Sequence, residues 1–405
     1  ERICRVLETL EPESILLLGS AARGELTHRR REDGRLELFS DLELACVVGR
    51  RRSTLETRVR EELERVERDI AVDNGLFHVD CMIVTELPTG TESRGLLWYE
   101  SGVTAVPLAG SSGRNAFGEV VPERVSMGLV NALVTIRLWW LLIEFPVALL
   151  ARPGTELSDP RREVFLYALM RNLLDVPSIW LPNEGVFIPS YAGRLDYLTE
   201  HWEEIGGHRW FDDSVRRGLA DATRAKLTAD IEGDPVVWYG IVVRAYRGLL
   251  RRLLTLDPAA GEGEVQEAIL DWWAATHPAP RSWRFRLYRL ALGLRTMLRP
   301  GAGLRWLRRR RAAPAAALAF LHAMHGAALH RLENGSAEPD LTAARDSLWR
   351  FTGVRAATRG GRSFAAEWHR LREAFIDEFI RQHRTVRGRR QAIRTLMTTE
   401  KNGLE

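Results

Sequence analysis

Apolar and polar residues fall in two regimes along the chain. Up to about residue 115, short apolar runs alternate with polar ones; after about 120, apolar positions recur at helical spacing. "SILLLG" begins at Ser14 as an unbroken apolar run stopped by glycine, which predicts a buried strand closed by a tight turn. "DLELACVV" from Asp41 and "FHVDCMIV" from Phe77 read as two further strands. Between them lies "TLETRVREELERVERDI". There Leu55, Val59, Leu63, Val66 and Ile70 recur at spacings of four and three and predict an amphipathic helix. Residues 2–10 read as a short helix. The order helix, strand, turn, strand, helix, strand predicts an α/β or α+β layer.

The later part reads as mostly helical, over 123–145, 160–175, 213–230, 236–256, 264–275, 283–298, 314–333 and 364–384. "LDPAAGEGEV" (256–265) looks like a joint between helical domains. The expected architecture is an α+β N-terminal domain, a small mixed sheet flanked by helices, followed by a mostly α-helical C-terminal region. The expected boundaries are 1–118, 119–256 and 263–405. No internal repeat is visible, and the basic, then polar tail after about 385 is expected to fray.

Composition narrows the class only slightly. Across 405 residues the chain is 45% apolar and 28% charged, as ordinary globular domains are. A net charge of +4 permits a nucleic-acid partner without demanding one. Cys4, Cys46 and Cys81 form no CxxC pattern, so no disulfide framework or zinc cluster is readable. A reducing, cytoplasmic location is expected. The start of the chain does not look like a signal peptide. The most apolar stretch, Leu129 to Phe145, carries Asn131, Arg137 and Glu144 and reads as a buried helix rather than a transmembrane segment.

The candidate chemistry lies in the first 85 residues. Side chains alternate along a strand, so Asp41 and Glu43 share one face with Ala45 and Val47, their Cα atoms ~6.5 Å apart. Two carboxylates on one face repel unless a cation sits between them. Asp80 lies inside a third apolar strand. If that strand runs beside the first, the three acids converge into a set of hard oxygen donors suited to Mg²⁺ or Mn²⁺. Upstream, Gly19 and Ser20 close a strand and open a helical turn, where backbone can approach a phosphate closely. Asp41 and Glu43 alone would read as exposed residues of an edge strand; joined to Gly19-Ser20 and Asp80, they point to metal-assisted phosphoryl transfer.

The combination "LLLGSAARGE…SDLELACVV…FHVDCMIV" resembles the signature of the DNA polymerase β-like nucleotidyltransferase superfamily, over roughly residues 1–110. The resemblance implies that Asp41 and Glu43 bind two metal ions. It implies that Asp80 binds one of them and activates the attacking hydroxyl, and that Ser20 holds the triphosphate. Gly19 lies beside Ser20 in the turn, and Arg23 either helps to hold phosphate or continues the turn. Two features depart from the pattern. The spacer Ala21–Ser40 is long, and "RRREDGRLEL" within it reads as an inserted hairpin around Asp33-Gly34. Glu43 stands where aspartate is commoner.

The remainder is less specific. Arg162, Tyr167 and Arg171 fall near one face of a predicted helix, either as helical core with a surface arginine or as groups closing over a nucleotide. His322 and His325, three apart on a predicted helix, read as core residues. Residues 281–311 carry eleven arginines and no acid, with Trp283, Leu287, Leu290, Leu294 and Met297 on one stripe. Such a helix either packs its stripe into a core while its arginines reach solvent, or contacts an anionic membrane or nucleic acid. Two functions fit the chain. One is a nucleotidyltransferase that moves a nucleoside monophosphate from an NTP to an acceptor hydroxyl on a small molecule, protein or RNA. The other is a non-catalytic binding or scaffold protein of the same fold, working through its basic helical region.

Overall fold

The computed structural model describes residues 1–276 and 305–382, apart from residues 31, 35, 50–52, 75–77, 86–94, 111–116, 118–119, 152–153, 231, 336–338 and 353–362. The basic stretch 281–304 and the tail beyond 382 lie outside the described residues, and of 305–311 only the helical backbone is described.

The fold is α+β, with a small mixed four-stranded sheet and many helices. In chain order the first elements are α1 (Arg2–Glu8), β1 (Ser14–Leu17), α2 (Gly19–Ala22), β2 (His28–Arg30), β3 (Leu36–Leu38) and β4 (Asp41–Val47). Then come α3 (Ser53–Asn74), β5 (His78–Val84), α4 (Leu96–Thr104) and β6 (Val106–Gly110). A 3-10 turn at Pro122–Arg124 leads into α5 (Met127–Glu144), α6 (Ala148–Ala151), α7 (Asp159–Asn183), α8 (Tyr191–His201), α9 (Gly207–Trp210) and α10 (Asp213–Thr228). Last are α11 (Pro235–Leu253), α12 (Glu262–Thr276), α13 (Arg305–Asn334), α14 (Thr342–Thr352) and α15 (Phe364–Gln382).

The chain forms two compact units, each built from non-consecutive segments of the sequence. One comprises Glu1–Asn131, Leu173–His208 and Asp212–Glu232; the other comprises Ala132–Asn172, Arg209–Phe211 and Gly233–Glu405. This differs from a division into three consecutive segments, because α8 and α10 belong with the N-terminal residues.

In the first unit the strand order is β5-β4-β1-β6, with β4 and β5 parallel and the other pairs antiparallel. Apolar side chains on alternate positions feed both faces. Ile15, Leu44, Cys46, Cys81 and Ile83 pack with Ile3 and Leu7 of α1 and with Val59, Leu63 and Val66 of α3. Val59, Leu63 and Val66 of the predicted stripe of α3 are thus buried, with Leu55 packed partly buried beside them. Leu16, Ala45 and Val47 face the other way, with Phe117, Trp98, Met82 and Val84. Burial pushes the Cys46 and Cys81 thiols up to about 11 and about 12, so both stay protonated. The expected inserted hairpin is present: β2 pairs antiparallel with β3, and Gly34 turns between them at φ 82°.

The second unit is helical. Phe145 packs against Phe165, Tyr239 and Trp368, with ring centroids 5.8, 4.8 and 5.1 Å away. Arg372 is fully buried and donates to the carbonyls of Ile143 and Phe145 at the end of α5, whose last carbonyls have no partner within the helix. The windows at Met127–Glu144 and Arg161–Asn183 are long and apolar enough to cross a membrane. Half of the first and 83% of the second are buried within the protein, as core helices are.

Candidate active site

The turn after β1 fixes the geometry. Gly19 has φ +62°, the left-handed region that costs a side-chain-bearing residue energy. A Cβ on Gly19 would lie 1.6 Å from Oε2 of Glu43. Glycine is therefore required twice at this point, by its dihedral angle and by the carboxylate occupying the space a side chain would need. The Leu18 N–H donates to the Glu43 carbonyl at 2.9 Å, so the strand hydrogen-bonding delivers the turn to that acid. Ser20 follows in the single helical turn of α2 and is half-buried.

The parallel register of β4 and β5 pairs Asp41 with His78 and Glu43 with Asp80. Directly paired residues of neighbouring strands share a face, so Asp80 lies on the same face as Glu43 and, two residues back, Asp41. This is the face of Ala45, Val47, Met82 and Val84, and the acids continue it where its apolar packing stops. Asp41 and Glu43 are half-buried, and Asp80 is exposed. Three carboxylates from two adjacent strands are a donor set whose chemistry suits a hard divalent cation. Their side chains are not gathered into a closed shell: Glu43 turns toward Gly19, and among the described residues no three His, Cys, Asp or Glu are arranged to hold a metal ion.

Arg23, expected beside phosphate, is engaged elsewhere. Its side chain is 5% exposed, and its guanidinium donates to Glu25 at 2.9 Å and Glu100 at 3.5 Å. Burial acts against its charge, but Glu100, Tyr191 and Glu25 outweigh that, so its pKa stands above the ordinary value. Arg194, also buried, pairs with the other oxygen of Glu100 and donates to Ser178 Oγ and the Ile188 carbonyl, each at 2.7 Å. The second oxygen of Glu25 accepts from the Ala192 N–H at 3.0 Å. The half-buried Tyr191 ring faces three cations: Arg23, Arg194 and Lys226 stand 5.3, 5.5 and 5.7 Å from its centroid. Desolvation first, then Asp175 and Glu100, raise the Tyr191 pKa, so its hydroxyl stays protonated. Lys226 donates to Ser40 Oγ at 2.5 Å, and that oxygen also accepts from the Thr27 N–H at 3.1 Å.

This buried network holds both arms of the candidate site. Glu25 and Arg23 follow the Gly19-Ser20 turn, and Ser40 immediately precedes Asp41. None of Glu25, Ser40, Glu100, Tyr191, Arg194 or Lys226 figured in the reading of the sequence as a site residue. Arg162, Tyr167 and Arg171 belong to the other unit, where Arg162 donates to the Gly233 carbonyl at 2.8 Å. No family model, curated protein or solved structure matches the chain. What bears on function is therefore the geometry of this face.

Proposed function

We propose that the chain is a metal-dependent nucleotidyltransferase, moving a nucleoside monophosphate from an NTP to an acceptor hydroxyl with release of pyrophosphate. The observation that carries this reading is the β4–β5 register, which pairs Glu43 with Asp80 on the face that Asp41 shares, beside a turn whose glycine is pressed against Glu43.

Asp41, Glu43 and Asp80 would hold Mg²⁺, which when bound neutralises charge on the triphosphate and the leaving group. The chain's own groups do the rest. The Gly19-Ser20 backbone approaches the phosphates without a side chain in the way, and the Ser20 hydroxyl donates to a phosphate oxygen. Asp80, exposed to an incoming acceptor, takes or orients the proton of the attacking hydroxyl. Arg23 holds the turn in place from behind through Glu25 and Glu100. Lys226 holds the entry to β4 through Ser40.

The test is incubation of the full chain with α-³²P-labelled NTPs, Mg²⁺ and cell extract, beside the Asp41→Asn variant. Label should pass to an acceptor with the wild type and not with the variant. Isothermal titration of each NTP with Mg²⁺ supplies the independent check: absence of binding by all four would overturn the reading.

A further inference from the structure

Helices α8 and α10 pack together in the first unit with opposite chain directions. At one end Lys226 of α10 stands over the Tyr191 ring at the start of α8. At the other end Arg216 of α10 stands over the ring of Trp202, just past the end of α8, 5.5 Å from its centroid. Arg216 and Lys226 are ten residues apart, about 15 Å of helix. The Lys226 end belongs to the network behind the carboxylate face; the Arg216 end borders a separate, open-mouthed cavity.

That cavity has a volume of about 340 Å³, within the range of small-molecule sites. Its apolar lining comes from Leu195, Leu198 and Leu219, and its polar lining includes Arg216, Arg217 and Asp213. Trp202 is a fixed wall. It is 4% exposed, its edge meets Trp180 with centroids 5.7 Å apart, and a Cβ on Gly207 would touch its ring at 2.4 Å. With Arg216 over it as well, the indole is engaged by its neighbours and leaves half-buried Leu195, with the edges of Leu198 and Leu219, each 3% exposed, as the surface for an apolar ligand. Arg216 and Arg217 are both exposed, and among the described residues neither forms an ion pair. Asp213 also lines the cavity, yet stands within ion-pair distance of neither.

Leucines beside two guanidiniums that form no ion pair among the described residues, and that outnumber the one carboxylate in the lining, Asp213, complement a molecule with an apolar body and an anionic head. We propose that this cavity binds a small amphipathic organic anion, its aliphatic body against Leu195, Leu198 and Leu219 and its carboxylate or phosphate head on Arg216 and Arg217. Guanidinium groups suit either head because they donate in a planar fork to two oxygens at once. The site is independent of nucleotidyl transfer, since it contains none of the groups assigned to that reaction.

The experiment is isothermal titration of the full chain with octanoate and octyl phosphate, with acetate as the head alone and 1-octanol as the body alone. At least one amphiphile should bind saturably at one site, at least tenfold more tightly than either fragment, and the better of the two identifies the head. Arg216→Gln with Arg217→Gln should weaken that binding tenfold or more, and Leu195→Trp, which fills the cavity, should abolish it. Circular dichroism checks each variant. Arg217→Gln alone, at an exposed position, serves if the double variant does not fold and should weaken binding at least threefold. Saturable binding of neither amphiphile, or unchanged binding in the folded variants, would overturn the proposal.

Discussion

The α-carbon of Gly19 lies against the carboxylate of Glu43, so close that a methyl group on Gly19 would sit 1.6 Å from Oε2. A strand end and the half-buried acid of β4 are thus locked together by the smallest residue, in a conformation that few others adopt.

Gly19→Ala should therefore be costly for two separable reasons. The left-handed dihedral costs an alanine about 1–2 kcal/mol, and displacing the carboxylate adds to it. Adding Glu43→Ala should recover the steric part and leave the dihedral part. Chemical denaturation of the two single variants and the double variant measures the split. Purely additive effects would show that Glu43 does not occupy the Gly19 position.

Asp41→Asn should separate stability from activity. One negative charge leaves a face that carries three, so repulsion eases and the fold stays within about 0.5 kcal/mol of wild type or gains slightly. If the proposed function holds, nucleotide transfer should fall about a thousandfold or more, since one of the groups proposed to hold the ion is lost. Thermal melting and the labelled-NTP assay provide the pair of readings. Joint loss of both would make Asp41 a structural residue instead.

The sequence made the acids legible and hid what supports them. Asp41 and Glu43 stand out because a charge inside an apolar run needs a reason, and period two puts both on one side. The β4–β5 pairing could be expected but not proved, because parallel strands 30 residues apart carry no local mark of their register. Strand β6 escaped notice because Pro107 interrupts a short, mostly exposed run at the sheet edge. Arg194 and Lys226 escaped for a different reason. Lys226 falls in the expected helix 213–230 and Arg194 in a stretch where no helix is expected; only the fold buries them, against Ser40 and Glu100. Arg23 looked like a phosphate ligand because it follows Gly-Ser; the same burial turns it inward.

Glu100 is the shared partner of two buried guanidiniums, Arg23 and Arg194. Glu100→Gln keeps the shape and removes the charge, leaving, among the described residues, buried Arg194 without a carboxylate and Arg23 with Glu25 alone. The expected loss is about 3–5 kcal/mol, the usual cost of breaking a buried pair from one side. Replacing Arg194 by Met in the same chain should return part of that loss. Denaturant unfolding of the three variants tests the coupling, and a Glu100→Gln cost below about 1 kcal/mol would contradict it.

In the second unit the buried histidines should set an acid limit. His325 donates from Nε2 to the Leu138 carbonyl at 2.8 Å, which leaves Nδ1 to accept from the Tyr239 hydroxyl at 2.9 Å. Only the second bond requires the neutral ring; burial lowers its pKa from 6.5 to about 4, against the Leu138 carbonyl, which favours the charged form. Burial also lowers His322 to about 4; Glu262, with an oxygen 3.3 Å from Nε2, pulls the other way, while Arg247 and Arg251 add to the lowering. In the unfolded chain each ring binds its proton near pH 6.5, so the unfolded state holds more protons as pH falls. Stability is then fully present above pH 6.5 and is lost as pH drops from 6.5 toward 4, by on the order of 3 kcal/mol for each histidine. Unfolding in urea at intervals from pH 7.5 to 4.5 reads the slope, which should approach one extra proton taken up per histidine. His322→Gln should remove about half of it. A stability that stays flat across that interval would mean that these rings are protonated in the folded protein.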